Sequence, residues 1–271
     1  MTSPDFDFVR HLVRDRSAIV LEPGKEYLVE SRLAPLVRQR HLESVSDLIA
    51  LARTGTDQEI PTQIIDAMVT TESSFFRDRT PFESLRTTIL PDLIQRRRAE
   101  RRLSVWCAAC STGQEPYSFA ILLREHFPEL VNWNVSVLAT DISKPILDRA
   151  REGRFSQIEV NRGLPALLLV KYFRQHGSSW ELVEDLRRSV EFRELNLAQS
   201  WPYLSRMDLV FLRNVMIYFD VQTKRTILGR LATVLRPDGY LLLGGAETTL
   251  NIDDSYHRVT TVPGGFYQRN G

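Results

Sequence analysis

Between Phe8 and Val69 the apolar residues recur every three or four positions, as in Leu48, Ile49, Leu51 and Ala52 and again in Ile60, Ile64, Ile65, Met68 and Val69. Gly24, Gly55 and Pro61 punctuate the pattern, which predicts a small all-helical domain. At Thr80-Pro81-Phe82-Glu83 a capping threonine, a proline at the first helical position and a glutamate three residues after the cap predict a helix running towards Arg96. From residue 103 the period changes. Leu103 to Ala109, Asn134 to Thr140, Met207 to Leu212 and Tyr240 to Gly244 read as strands, with helices at Ser118 to Phe127, Pro145 to Glu152 and Thr223 to Leu235. Such alternation predicts an α/β fold built on a parallel, doubly wound sheet. Between Gly153 and Phe192 the rhythm is lost, which predicts an inserted subdomain, and Tyr256 to Phe266 reads as a strand pair finishing the sheet. The expected organisation is therefore a helical domain over 1–78, a linker helix over 79–102, and an α/β domain over 103–271 with an insert at about 153–192.

Composition narrows the chemistry. The 271 residues carry 35 Lys and Arg against 34 Asp and Glu, so a net charge of +1 gives no global pull towards nucleic acid or anionic lipid. The apolar runs are short and the first residues lack a basic segment followed by an apolar one, so a cytoplasmic protein is expected. Two cysteines, Cys107 and Cys110, and five scattered histidines offer no metal-ligand spacing. Cys107-Ala108-Ala109-Cys110 reads either as a dithiol redox pair or as small packing residues.

In an open α/β sheet ligands bind outside the carboxyl ends of the strands. After the first strand, Ser111-Thr112-Gly113-Gln114-Glu115 holds one glycine and neither a dinucleotide nor a P-loop fingerprint. Glu115 suits a cationic ligand group or completes a capping box with Thr112. Asp141 after the second strand is placed either to accept ribose hydroxyls or to cap the helix near Pro145. Arg213 and Asn214 interrupt an apolar run at a strand end, with Tyr218 four residues beyond Asn214. Thr70-Thr71-Glu72-Ser73-Ser74-Phe75-Phe76-Arg77-Asp78 marks the domain junction, where Arg77 either orients a carboxylate or belongs to a helix cap. The arginine run at 96, 97, 98, 101 and 102 reads as a solvated helix end, since no aromatic or base-reading partner accompanies it.

The set TTESSFFRD (70–78), STGQEPYS (111–118), LATDIS (138–143), NL (196–197), RNVMIYFD (213–220) and LRPDGYLLLGGAE (235–247) resembles the chemotaxis receptor glutamate methyltransferases, the CheR family, across almost the whole chain. The resemblance implies a Rossmann-like, class I S-adenosylmethionine-dependent methyltransferase domain behind a small helical one. A cofactor without phosphate then explains the missing phosphate loop. By the same resemblance Thr71, Ser73 and Arg77 stand at cofactor or active-site positions, Glu115 holds the methionine end and Asp141 the ribose. Asn196, Leu197, Arg213 and Asn214 complete the cofactor shell, and Tyr218 with Arg77 lies beside the transferred methyl. The family commonly has Asn at the position of Thr71 and Glu at that of Gln114; the first change removes one expected hydrogen bond, and the second leaves Glu115 in place.

The implied reaction is methyl transfer to receptor glutamates, giving glutamate methyl esters and S-adenosylhomocysteine in bacterial chemotaxis adaptation. A glutamate with a pKa of about 4.3 is already ionised at neutral pH, so no general base is required. Lys25, Arg32 and Arg38 match basic positions by which the family meets the cytoplasmic signalling domain of chemoreceptors, or else form a solvated face in a helix interrupted by Pro35. The short insert with only Gly177 between Tyr172 and Val190 implies no tether to a receptor's C-terminal pentapeptide. Other classes consistent with the residues are a methyltransferase of small molecules or nucleic acid, a cofactor-binding sensor without turnover, and a dithiol redox protein.

Overall fold

The computed structural model describes residues 1–270. They divide into two compact units, Met1–Thr70 with Tyr218–Thr223, and Thr71–Ile217 with 224–270.

In the first unit four helices, α1 (Ser3–Ser17), α2 (Glu26–Gln39), α3 (Val45–Thr54) and α4 (Glu59–Met68), bury one apolar stripe each. Val9, Val13, Val29, Leu33, Leu48, Ile49 and Ile64 are fully buried in the shared core. Thr2 opens α1 as a reciprocal cap, its hydroxyl accepting the Asp5 N–H while the Asp5 carboxylate accepts that of Thr2. Pro35, expected to interrupt α2, lies inside a continuous helix. It occupies the exposed side, as does Ser31 one turn earlier, whose carbonyl loses its usual helical donor. Tyr218–Thr223 joins this unit through the Val20 N–H, which donates to the Tyr218 carbonyl at 2.9 Å, and through Arg14 and Asp220 at 3.3 Å.

The second unit is built on β1 (Arg102–Ala108), β2 (Asn134–Asp141), β3 (Arg154–Ser156), β4 (Phe173–His176), β5 (Ser179–Leu182), β6 (Val190–Glu194), β7 (Met207–Leu212), β8 (Leu235–Leu243), β9 (Tyr256–Arg258) and β10 (Phe266–Arg269). Seven of them form one sheet in the order β6-β2-β1-β7-β8-β10-β9. The first five run parallel, and β10 is antiparallel to both β8 and β9. The central strands β1 and β7 are mostly apolar and, Arg102 apart, buried on both faces, as a sheet covered by helices requires. Covering and connecting helices are α5 (Thr80–Ser84), α6 (Leu90–Arg97), α7 (Gln114–His126), α8 (Lys144–Glu152), α9 (Gln157–Asn161), α10 (Ala166–Tyr172), α11 (Glu184–Arg187) and α12 (Val221–Val234). The strand order reverses between β1 and β7, so their carboxyl ends open the crevice in which such sheets hold ligands.

Further sequence expectations change in detail: β8 begins at Leu235 rather than Tyr240 and α7 at Gln114 rather than Ser118. The helix from Thr80 has Arg79 as its cap, because Asp78 and Arg79 both hold positive φ (69° and 47°) and turn the chain one residue early; a π-turn at Leu85–Ile89 then separates α5 from α6. The irregular segment is a three-stranded sheet, β3-β5-β4, and it ends before Val190, because β6 pairs in parallel with β2 in the main sheet. Residues 71–78 belong with the second unit rather than the helical one: Phe75 is fully buried there, its ring edge-on to Phe155 and Phe173.

Candidate active site

Just past β1 the backbone is forced into the left-handed region at Ala109 (φ 55°), Ser111 (52°) and Gly113 (91°), and near it Phe76, Asp78, Arg79 and Asn214 are also positive. Strained non-glycine residues concentrated at strand ends mark a place where geometry is held for a purpose. The loop is stitched to the end of β2: the Cys110 N–H donates to the Thr140 carbonyl, and the Ser111 N–H to Asp141 Oδ2, both at 2.9 Å. Asp141 Oδ1 accepts the Ser143 N–H at 3.2 Å, and Ser143, not Asp141, caps α8. Gly113 caps α7; a Cβ there would lie 3.1 Å from the Tyr117 ring in a backbone region that L residues avoid. The alternative capping box is not formed, since the Thr112 hydroxyl donates to Gln114 Oε1 and Glu115 is engaged elsewhere.

Glu115 Oε2 accepts from Arg213 Nη1 at 2.7 Å, while Arg213 Nη2 donates to Asp78 Oδ2 at 2.6 Å and to the Arg77 carbonyl at 3.2 Å. The Arg213 side chain is 1% exposed, and its Nε is buried without a partner among the described residues. Burial pushes the Glu115 carboxyl above the usual glutamate range, against the pull of Arg213 and Arg77. The guanidinium thus ties the first turn of α7, the end of β7 and the 71–78 segment into one charged cluster.

Glu247, which carried no role in the sequence reading beyond its place in the last motif, is buried and accepts four main-chain N–H groups. Oε2 takes those of Asn214 (2.7 Å) and Gly244 (2.8 Å), and Oε1 those of Val215 (2.9 Å) and Met216 (2.8 Å). The available signal was an acid set just after Gly244-Gly245 at the end of an apolar run.

The other expected site residues are distributed as follows. The Thr71 carbonyl accepts the Ser111 hydroxyl at 2.9 Å, Ser73 is half-buried, and Arg77 Nη1 donates to the Glu72 carbonyl at 3.2 Å. Asn196 Oδ1 accepts the Ala198 N–H at 2.9 Å and the Leu197 carbonyl accepts the Trp201 indole at 3.1 Å, just beyond β6, where the Leu195 N–H meets the Asp141 carbonyl. Tyr218 falls in the first unit. There Lys25 sits over the Tyr27 ring at 6.0 Å, Arg38 is exposed, and the Arg32 guanidinium binds the Met68 carbonyl and, at 2.9 Å, the Thr70 hydroxyl.

Both cysteines are buried free thiols whose pKa values burial drives well up, which removes the thiolate that a redox pair needs. The arginine run is not all solvated: Arg97 is buried, with Asp208 at 2.5 Å and Asp238 at 2.6 Å, and Arg96 pairs with Asp92 at 3.0 Å.

Comparison with known proteins agrees with this layout. The family profile described as CheR methyltransferase, all-alpha domain matches residues 4–69, and that described as CheR methyltransferase, SAM binding domain matches residues 71–263. Chemotaxis protein methyltransferase 1 of Pseudomonas aeruginosa is 39% identical over 97% of each chain. Chemotaxis protein methyltransferase Cher2 of Pseudomonas putida is 37% identical, again over 97% of each. Chemotaxis protein methyltransferase 1 of Vibrio cholerae is 39% identical over 97% of this chain and 95% of its own. With both domains matched in order and relatives aligned end to end, the chain belongs to the CheR methyltransferase family.

Proposed function

We propose that this chain methylates glutamate side chains in the cytoplasmic signalling domain of chemoreceptors, using S-adenosylmethionine and leaving S-adenosylhomocysteine. The observation that carries the reading is the pair of carboxylates beside the switch point, Glu115 in the first turn of α7, which follows β1, and Asp141 at the carboxyl end of the adjacent parallel strand β2. The site fits such a cofactor: the loop after β1 presents a single glycine and an acid rather than a phosphate cradle, and the buried Arg213 Nε is a donor left over for a ligand. The cofactor supplies an electrophilic methyl on a positively charged sulfur.

The residues hold and orient. Glu115 takes the ammonium of the methionine end, Asp141 the ribose hydroxyls, and Asn196, Leu197, Arg213 and Asn214 line the remainder, with Thr71 and Ser73 at the edge. The incoming glutamate is ionised at neutral pH, so no residue need remove a proton. Arg77 orients its carboxylate, Tyr218 supplies a hydroxyl beside the methyl, and the main work is alignment with water excluded, an effect of about 7 to 11 kcal/mol when fully realised. With the cofactor bound, the products would be a carboxyl ester and a neutral thioether, and these residues would hold the carboxylate in line with the methyl. Lys25 and Arg38, with Arg32 between them tied to the end of α4, offer the basic face for an acidic helical receptor. The insert carries no pentapeptide tether in this reading.

The test is transfer of label from methyl-labelled S-adenosylmethionine to receptor signalling fragments, followed by mild alkali. Label released as volatile methanol establishes a carboxyl ester; cofactor binding without transfer would refute the assigned substrate.

A further inference from the structure

Glu247 is a buried carboxylate with no cation in ion-pair contact among the described residues. A charge withdrawn from water needs compensation, and here four main-chain N–H groups at 2.7 to 2.9 Å provide it. Three of them come from the successive residues Asn214, Val215 and Met216, which converge on one anion only because Asn214 adopts φ 59°. The fourth is that of Gly244, where an added Cβ would lie 2.7 Å from Glu247 Oε2 and 2.9 Å from Asn214 Nδ2. Glu247 therefore fixes the turn leaving β7 against the end of β8. That turn begins at Arg213, whose guanidinium grips Glu115 and Asp78.

We propose that Glu247 is a positioning residue of the cofactor site, acting through Asn214 and Arg213 and touching no ligand itself. The proposal rests on the reading of Arg213 and Asn214 as cofactor-binding residues. Without the carboxylate, the three N–H groups lose their acceptor and Asn214 has no reason to stay in the left-handed region. Both ligand-facing side chains then lose their fixed origin.

The experiment is calorimetric titration of the full chain with S-adenosylhomocysteine, alongside melting temperature and the KM for receptor fragments. Glu247→Gln is expected to weaken product binding tenfold or more and to leave the receptor KM within twofold. In a background carrying both Arg213→Lys and Asn214→Ala the same substitution should add less than twofold, since Glu247 acts through those two side chains. A purely structural role would lower the melting temperature while leaving the affinity of the folded variant intact, or would multiply fully with that double substitution; either result overturns the proposal. If Glu247→Gln does not fold, Gly244→Ala keeps every charge while pressing a methyl on the same junction, and unchanged affinity there overturns it equally. Should Arg213→Lys and Asn214→Ala themselves leave affinity unchanged, the cofactor assignment of the turn fails first. Weakening by those two with none by Glu247→Gln sinks only the positioning role.

Discussion

Arg77, in the segment before α5, and Arg213, at the end of β7, are both arginines of the candidate site, yet their surroundings give them different work. Arg213 is enclosed and committed to Glu115 and Asp78, whereas Arg77, among the described residues, donates to a carbonyl in its own segment and remains half-exposed. Arg77→Ala is accordingly expected to lower turnover at least tenfold with little change in cofactor affinity, and Tyr218→Phe to lower it less; steady-state kinetics paired with calorimetry separates the two effects. Glu115 gives a pH signature. Its raised pKa means that the folded chain holds this proton more tightly than the unfolded one, so its stabilising contribution is complete below about pH 4.3 and is lost as pH rises through the folded value. Binding has the opposite sign, because a cationic ammonium needs the ionised acid. Affinity for S-adenosylhomocysteine should therefore fall as pH drops through a range where an ordinary glutamate is still charged. Glu115→Gln should bind weakly at every pH with that slope gone, and an unchanged slope in the variant would assign the titration elsewhere.

Among the elements, those with a strong apolar period were legible in the sequence. The starts of β2 and β7 and the helix α8 fall within a residue of their expected positions. The parallel strand β6 was not, because at the sheet edge only Val190 and Phe192 of its five residues are buried, too short an alternation to stand out from the insert before it. The site was legible where a residue type and a strand end coincide, as at Glu115, Asp141 and Arg213. It was illegible at Asp78 and Glu247, whose importance lies in partners 135 and about 30 positions away in sequence. The arginine run shows the same limit at the other end of the sheet. Arg97 lies in contact with Asp208 and Asp238, while Asp208 also accepts the Ser104 N–H, so this cluster joins α6, β1, β7 and the first half of β8. Arg97→Ala is expected to cost about 3 to 5 kcal/mol by leaving Asp208 less than fully paired, against under 1 kcal/mol for the exposed Arg98→Ala. Urea denaturation of the two variants checks the contrast.

For the whole molecule, a net charge of +1 leaves substrate capture to local patches rather than to a global field. If Lys25 and Arg38 meet an acidic receptor, the apparent KM for signalling fragments should rise several-fold between 50 and 300 mM salt, and Lys25→Glu should weaken that dependence. Removing the C-terminal pentapeptide from a receptor that carries one should leave the methylation rate unchanged; a marked loss would establish a tether on the short insert. The return of Tyr218–Thr223 to the helical unit has a further consequence, concerning time. All four helices are synthesised before any of the sheet, yet the piece that the Val20 N–H and Arg14 hold is synthesised about 150 residues later, which at about 5 to 20 residues per second is a delay of some 7 to 30 s. The nascent helical bundle thus waits, already collapsed around its valines and isoleucines, for a peg that arrives only when most of the catalytic half has been translated, so the first part of the chain to fold is among the last to be finished.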